Sequence, residues 1–260
     1  MHFSNAEFVD LTLPVRSREF EGFSGAQLAQ RLSLPRVELY ERVTSTLDVA
    51  HELARDGAPA GTLVIAEEQT AGRGRAGRTW RSRPRSGLWL TLIEKPSDTA
   101  AIELLSLRVG MHVAPLLDRF TSAPVSLKWP NDLLVNGAKL AGVLIEARWR
   151  GNRPDWVAIG FGINVIAPAD LSAAAVAPET SRMELLEAVV SAIRAASAGR
   201  GTLSGAELAA FAQRDMARGR RCTQPMQGTV RGIDAEGALL VERTGATSAV
   251  RDGSLVLEDS

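Results

Sequence analysis

The sequence predicts an α/β protein, a large mixed sheet with flanking helices, followed by a small β-rich unit. Between about residue 40 and residue 218, helical and strand patterns alternate, which is typical of a sheet covered by helices. From Gly219 onward the chain changes to short strand segments separated by Gly and Asp turns, and this pattern predicts a small β-barrel. We therefore expect an N-terminal extension over 1–39, a large domain over 40–218 and a small domain over 219–260.

Helix-start and helix-stop residues mark the first elements of the chain. A short helix is predicted from Gly25 to Leu32, and Pro35 prevents it from continuing. A second helix begins at Ser45, whose side chain can cap it, and stops at Gly57. The apolar run in "GTLVIAEEQT" then predicts a buried strand.

The remaining elements follow the same alternation of periods. "SGLWLTLIE" predicts a strand, and Asp98 caps a long helix that runs to Phe120. Strands at "VSLKW" and "AGVLIEARW" bracket Lys139, and "DWVAIGFGINV" is another strand that ends in a glycine-rich turn. Two further helices are predicted over 181–198 and 205–218.

Composition and charge exclude several classes of protein. The 30 basic and 30 acidic residues cancel, so the whole molecule is not a polyanion binder and any basic site must be local. The single cysteine, Cys222, excludes an internal disulfide framework, and three scattered histidines disfavour a histidine-rich metal site. The first residues carry no secretory signal, and no run approaches the roughly 20 apolar residues of a membrane span, so we expect a cytoplasmic protein.

The stretch "SGAQLAQRLS" is similar to the first helix of a DNA-binding helix-turn-helix. A short packing helix is the favoured interpretation, because Pro35 follows at once and no second, basic recognition helix appears. We therefore expect no specific DNA binding.

The stretch "QTAGRGRAGRTW" interleaves glycines with arginines directly after a predicted strand. Its glycines match the spacing of a dinucleotide-binding turn, but Pro84 and Gly87 in the next residues disfavour the helix that such a turn opens. A solvated surface loop is a second interpretation. We favour a mobile phosphate clamp, since glycines free backbone N–H groups and guanidinium groups bind phosphate in two-pronged geometry. The residues of the clamp are Gly72, Arg73, Gly74, Arg75, Gly77 and Arg78.

A second candidate cluster occupies "LKWPNDLLVNGAKLAGVLIE". Lys128 and Lys139 are predicted on strands that flank a tight turn at 136–137, and adjacent antiparallel strands would hold both amines near one pocket. Asn131 and Asp132 offer an amide and a carboxylate suited to a nucleotide or a magnesium ion. A purely structural turn at "WPND" is the alternative.

In their order and spacing, four motifs resemble those of the biotin protein ligases: "QTAGRGRAGRTW", "KWPNDLL", "GAKLAGVLIE" and "IGFGINV". Four long motifs in order are far more specific than the glycine spacing by itself. The resemblance covers about 40–260, and it implies a class II synthetase-like catalytic domain followed by an SH3-like barrel.

The resemblance implies an ATP-dependent, AMP-forming ligation in two steps. The biotin carboxylate attacks the α-phosphate of ATP to give biotinyl-5′-AMP and pyrophosphate. A lysine amine of a biotin carboxyl carrier domain, from an acetyl-CoA-type carboxylase, then displaces AMP. Bringing a carboxylate against a triphosphate needs preorganised positive charge and Mg²⁺, and the arginines and lysines supply that charge.

Matching motif positions imply the roles of single residues. Lys139 and Arg75 are the implied catalytic residues, with Lys139 acting by electrostatic stabilisation where carboxylate and phosphate meet. Leu47 and Ala76 depart from the family pattern, which usually has Asn or Met at the first position and Arg at the second. The implied biotin-binding residues are Ser45, Thr46, Gln69, Gly72, Arg73, Gly74, Arg75 and Lys139. The implied ATP-binding residues are Arg73, Arg75, Arg78, Trp80, Lys128, Asn131 and Asn164, and the implied magnesium ligand is Asp132.

Other functions stay open on the sequence alone. A lipoate ligase would share the fold and the adenylate chemistry, although the motif wording is that of the biotin branch. A non-enzymatic regulator has only the arginine loop in its favour. Family members that double as repressors carry a longer segment than the one before Val43, so we expect a ligase without that DNA-binding module. The oligomeric state stays open, and so does the barrel's role, either a structural cap or a part of the docking or nucleotide site.

Overall fold

A computed structural model describes residues 13–96, 98–168 and 172–258, and a mixed eight-stranded sheet organises most of them. Its strands are β1 (Val15–Arg16), β4 (Arg36–Val43), β5 (Thr62–Gln69), β6 (Gly87–Glu94), β7 (Ser126–Lys128), β8 (Asp132–Val135), β9 (Ala138–Arg150) and β10 (Arg153–Asn164). A small hairpin of β2 (Glu19–Phe20) and β3 (Phe23–Ser24) precedes α1 (Gly25–Arg31). The order of the large sheet is β1-β4-β5-β6-β10-β9-β8-β7, and among these neighbours β4 and β5 alone run parallel. The predicted mixed α/β class is therefore confirmed.

Helices cover both faces of this sheet. The crossover between the parallel strands is α2 (Thr46–Arg55), which packs against one face, where Val64 and Ala66 lie. The opposite face, with Leu63 and Ile65, packs against α4 (Leu105–Leu117) and α5 (Arg182–Ser197). Because side chains alternate along a strand, β5 is apolar on both faces, and the sequence accordingly reads as a continuous apolar run.

Two helices depart from the sequence expectation. The helix expected over 98–120 is divided into α3 (Thr99–Glu103), α4 and a 3₁₀ turn at Asp118–Phe120. The helix expected over 205–218 is α6 (Gly205–Arg214), and it ends four residues early. Asp215 has an extended backbone and bridges to Leu127 of β7, so pairing with the sheet edge overrides the helical pattern.

The strands around Lys139 correct one geometric expectation. The turn at 136–137 is a hairpin in which both residues have positive φ, as an Asn-Gly pair favours. However, the two lysines do not lie on adjacent strands: Lys128 is on β7, Lys139 is on β9, and β8 lies between them. "WPND" itself bends the chain from β7 into β8, through a cis peptide bond before Pro130.

The residues after Arg220 form a second, five-stranded antiparallel sheet in the order β14-β13-β12-β11-β15. Its strands are β11 (Arg221–Gln224), β12 (Gly228–Ile233), β13 (Leu239–Arg243), β14 (Ala246–Val250) and β15 (Val256–Leu257). The closed barrel stays a prediction, as do the domain limits at 39 and 218. The turn between β12 and β13 contacts the segment between β7 and β8, where the indole nitrogen of Trp129 donates to the Gly237 carbonyl at 3.0 Å.

No helix in the described part of the chain is both long enough and apolar enough to cross a bilayer.

We expect Trp129→Phe to lower the free energy of unfolding by about 1 kcal/mol, since the Gly237 carbonyl loses its hydrogen bond while the apolar contacts persist. Urea unfolding measures the change. The matched control is Trp149→Phe, because Trp149 is 51% exposed. Equal stabilities of the two variants would contradict the proposed link between the sheets.

Candidate functional site

A cleft with an empty volume of about 700 Å³ lies on the α2 side of the large sheet. The start of α2, the loop after β5, the β8–β9 hairpin and the end of β10 surround it. The sequence-predicted site residues that line it are Ser45, Thr46, Gln69, Arg73, Gly74, Arg75, Arg78, Trp80, Asn131, Asp132 and Lys139.

One end of the cleft is a fixed network of polar groups. Gln69 closes it: the side-chain carbonyl accepts from the Thr46 backbone N–H at 2.9 Å, and the amide nitrogen donates to the Ser82 hydroxyl at 2.8 Å. The Thr91 hydroxyl donates to the Thr46 hydroxyl at 2.8 Å. Ser45 caps α2, because its hydroxyl accepts from the backbone N–H of Leu47, the second residue of that helix. Buried and mutually bonded hydroxyl and amide groups present a defined donor and acceptor pattern to a polar ligand head.

Apolar side chains form the walls next to this network. Leu47 of α2 is buried and lines the cleft, and Leu144 of β9, which packs in the same apolar cluster, lines it from the sheet. Leu47 packs closely on Gly160, where an added Cβ would lie 3.2 Å from a Leu47 methyl group. A small apolar ring with a polar edge therefore fits this end of the cleft.

Trp80 lies across the middle of the cleft, on two strand glycines. A Cβ at Gly162 would lie 2.9 Å from the indole, and one at Gly142 would lie 3.2 Å from it. The Trp80 backbone N–H donates to the Gly72 carbonyl at 2.8 Å, which returns the loop to the sheet. Strand glycines of this kind mark close approach of another group, and here that group is an indole ring.

Lys139 brings positive charge to the same place. Its amine lies 5.0 Å from the centroid of the Trp80 ring and 2.6 Å from Asp132 Oδ1. Burial lowers the pKa of the nearby Lys128 amine, and the positive charge of Lys139 lowers it further while Asp132 opposes the change. The charges of the two amines therefore influence each other, although β8 separates their strands.

The arginine-glycine loop is held by partners from distant parts of the chain. Arg73 bonds to Asp48 of α2 and to Glu146 of β9. The other two arginines reach residues near the C-terminus: Arg75 Nη2 lies 3.0 Å from Asp252, and Arg78 Nη2 lies 2.9 Å from the Ser254 hydroxyl. The turn between them is closed by a bond from the Gly74 N–H to the Arg78 carbonyl at 2.7 Å.

Three of the sequence-predicted site residues lie outside the lining formed by the described residues. Gly72 is buried behind the loop, where a Cβ would lie 2.4 Å from the Trp80 carbonyl oxygen. Lys128 lies on the far side of β8. Asn164 is buried, and its amide donates to the Ala174 carbonyl at 3.0 Å, which ties the following segment to the sheet. The ligand contacts expected of these residues stay predictions.

Sequence reasoning missed several residues of the site. Gly142, Gly160 and Gly162 give a signal in retrospect, because glycines inside a predicted strand mark close approach. The acidic partners of the arginines, among them Asp48 and Glu146, gave none, since only the fold brings them together.

A magnesium ion would find one suitable carboxylate here. Among the described residues no group of three or more His, Cys, Asp or Glu side chains could hold a metal. Asp132 is the one carboxylate among the described residues that line the cleft, and Mg²⁺ commonly takes most of its ligands from phosphate oxygens and water. The role of Asp132 as a magnesium ligand stays a prediction.

The sequence and the fold both match known proteins. The model of the biotin/lipoate A/B protein ligase family matches residues 39–164. The biotin–[acetyl-CoA-carboxylase] ligase of Mycobacterium tuberculosis is 34% identical over 223 residues, which cover 75% of this chain and 79% of that protein. The bifunctional ligase/repressor BirA of Bacillus subtilis is 41% identical over 127 residues, 48% of this chain, and the match spans only 39% of the relative's own length.

Solved structures agree with these sequence matches. The Aquifex aeolicus biotin protein ligase in complex with biotin and ATP has the same fold, with a TM-score of 0.70 at 24% identity over 86% of this chain and 99% of that one. The Leishmania major biotin protein ligase in complex with biotinyl-5-AMP gives a TM-score of 0.57 at 25% identity over 87% and 99%. Fold, motifs and the long match to the Mycobacterium relative agree, and the chain belongs to the biotin protein ligase family.

Proposed function

We propose that this chain activates biotin with ATP to biotinyl-5′-AMP and then transfers biotin to a lysine of a carboxylase's biotin carboxyl carrier domain. One observation carries the proposal: a single cleft joins a buried polar and apolar end to a cationic end. The named ligases among its relatives support this reaction class.

The closed end of the cleft suits biotin. Thr46 and Gln69 present fixed hydroxyl and amide groups to the ureido head, and Leu47 and Leu144 pack against the ring carbons. The valerate chain then runs toward Trp80, so its carboxylate reaches the amine of Lys139.

The cationic end suits the junction of carboxylate and phosphate. Attack of the biotin carboxylate oxygen on the α-phosphorus forms a P–O bond and breaks the bond to pyrophosphate, with negative charge on both partners. Lys139, Arg73 and Arg75 lower the repulsion in the transition state, and Lys139 is the main catalytic residue. None of these groups forms a covalent bond with the substrates.

The nucleotide extends from this junction between the loop and the β7–β8 turn. Arg78 and Lys128 stabilise phosphate charge, and Trp80, Asn131 and Asn164 hold the nucleoside side. Mg²⁺, with Asp132 as its protein ligand, would neutralise phosphate charge when bound. Asp132 would then leave its contact with Lys139, and the Lys139 amine would be available to the substrates.

The second step uses the same cleft with the pyrophosphate gone. An unprotonated lysine amine of the carrier attacks the carbonyl carbon of the mixed anhydride, AMP leaves with the electron pair of the C–O bond, and the nitrogen loses one proton to solvent as the amide forms. The covering loop and Trp80 keep water from the anhydride until the carrier arrives. The acetyl-CoA-type carboxylase and a cytoplasmic location belong to this proposal.

A repressor role is not part of the proposal, although the name of the Bacillus relative includes one. Between residues 13 and 43 the described elements are short strands, β4 and one helix, α1. A helix-turn-helix needs two helices, and α1 leads straight into β4 of the large sheet.

Mass spectrometry of the protein mixed with ATP, Mg²⁺ and either biotin or lipoic acid tests the proposal. We expect biotinyl-5′-AMP in the first tube and no lipoyl adenylate in the second, because the closed polar end matches a ureido group. A lipoyl adenylate would favour a lipoate ligase. Absence of any adenylate from a folded protein would favour a non-enzymatic regulator.

We expect Lys139→Ala to slow biotin-dependent pyrophosphate release by about 10²–10³-fold, the loss typical for one preorganised charge-stabilising group. The matched control is Lys95→Ala, since Lys95 is an exposed lysine outside the cleft. Thermal unfolding checks that both variants fold. A Lys139→Ala rate within a few-fold of the control would contradict the assigned role.

A further inference from the structure

A buried histidine that the proposed reaction does not use lies behind the cleft. His51 is in α2, it is 4% exposed, and it packs in the apolar cluster between α2 and the sheet. Its ring lies 6.2 Å from that of Trp156 on β10, measured between centroids. Both ring nitrogens have hydrogen-bond partners.

These partners fix which nitrogen of His51 carries the proton. The indole N–H of Trp156 lies 2.9 Å from His51 Nδ1, and an indole nitrogen can only donate. Nδ1 is therefore the acceptor. The proton of the neutral ring lies on Nε2, which donates to Glu146 Oε2 at 2.7 Å.

Glu146 passes this orientation to the arginine-glycine loop. Its two oxygens accept from Arg73 Nε and Nη2, both at 3.2 Å, in the two-pronged arrangement that fixes the plane of a guanidinium group. Asp48, one turn before His51 in α2, accepts from Arg73 Nη1. These contacts use three of the five N–H groups of Arg73, so the remaining two can meet an anion in the cleft without disturbing the carboxylates.

The charge on Glu146 is stable in this setting. The hydrogen bond from His51 is the largest influence that holds the pKa of Glu146 below its ordinary value, and the charge of Arg73 lowers it further against the effect of burial. Glu146 is therefore ionised and accepts from both neighbours at once.

We propose that His51 is a positioning residue for adenylate formation, acting through Glu146 to set the orientation of Arg73 at the cleft. The hydrogen bond from Trp156 orients the ring of His51, and the bond from His51 orients the carboxylate of Glu146. Glu146 and Asp48 together orient the guanidinium plane of Arg73. This assignment rests on the proposed function, since Arg73 contacts the reacting acid and phosphate there. His51 itself touches neither substrate.

Two amide variants separate the two hydrogen bonds of His51. In His51→Gln the amide nitrogen lies near the place of Nε2 and can donate to Glu146. In His51→Asn the amide lies near Nδ1, so it can accept from Trp156 but does not reach Glu146. We expect His51→Gln to stay within about threefold of wild type and His51→Asn to lose about tenfold in kcat/KM for biotin adenylation, as is typical when a supporting hydrogen bond is removed.

A double-mutant cycle distinguishes positioning from general damage to the fold. If His51 acts through Arg73, His51→Asn should lower kcat/KM by less than twofold in an Arg73→Lys background, because lysine lacks the planar fork that Glu146 orients. A tenfold loss in both backgrounds would overturn the assignment, and so would equal activities of the Gln and Asn variants. Biotinyl-5′-AMP formation by the wild type is the reference: its absence would overturn the proposed function together with this assignment, whereas an active wild type with an additive cycle would overturn this assignment alone.

Discussion

The packing of the Trp80 indole against Gly142 and Gly162 is the contact on which the rest of the site depends. The ring lies directly against the backbone of β9 and β10, where any side chain would displace it. Its backbone bond to Gly72 returns the loop to the sheet, and its face supports the amine of Lys139. One packing contact thus places the loop arginines, the central lysine and the border between the two ends of the cleft.

Carboxylate side chains near the cleft offset part of the positive charge that its arginines and lysines bring together. Three of the cationic groups have acidic partners: Asp48 and Glu146 for Arg73, Asp252 for Arg75, and Asp132 for Lys139. The exposed pair of Arg75 with Asp252 is weak, of about 0–1 kcal/mol, so a polyphosphate ligand can replace it at small cost, whereas Arg73 keeps both of its carboxylate partners. The contacts of Arg75 with Asp252 and of Arg78 with Ser254 also connect the segment between β14 and β15 to the loop.

Local patterns in the sequence were enough to predict most of the helices and strands after residue 44 and most of the cleft, because apolar periodicity, caps and the four motifs are local features. The Asn-Gly hairpin and the Ser45 cap belong to that class. Neither β4 nor β8 was predicted, and β8 was missed because four residues after a turn carry no clear period. The helix α6 ends earlier than expected because Asp215 pairs with the edge of β7. The network from His51 to Arg73 was invisible for another reason: its residues are far apart in the chain, and only the packing of α2 on β9 and β10 joins them.

The claim that the packing of Trp80 on Gly142 and Gly162 positions the site is tested most directly by the Gly162→Ala variant. The measurement is its rate of biotin- and ATP-dependent pyrophosphate release. An added Cβ would lie 2.9 Å from the indole, so the ring must move and take Lys139 and the loop with it. We expect a loss on the order of a hundredfold, the effect of a misplacement of about 1 Å, while the fold persists. Gly205→Ala is the control, because a Cβ there meets nothing within 4 Å. A Gly162→Ala enzyme that folds and works at the rate of the control would contradict the central role of this contact.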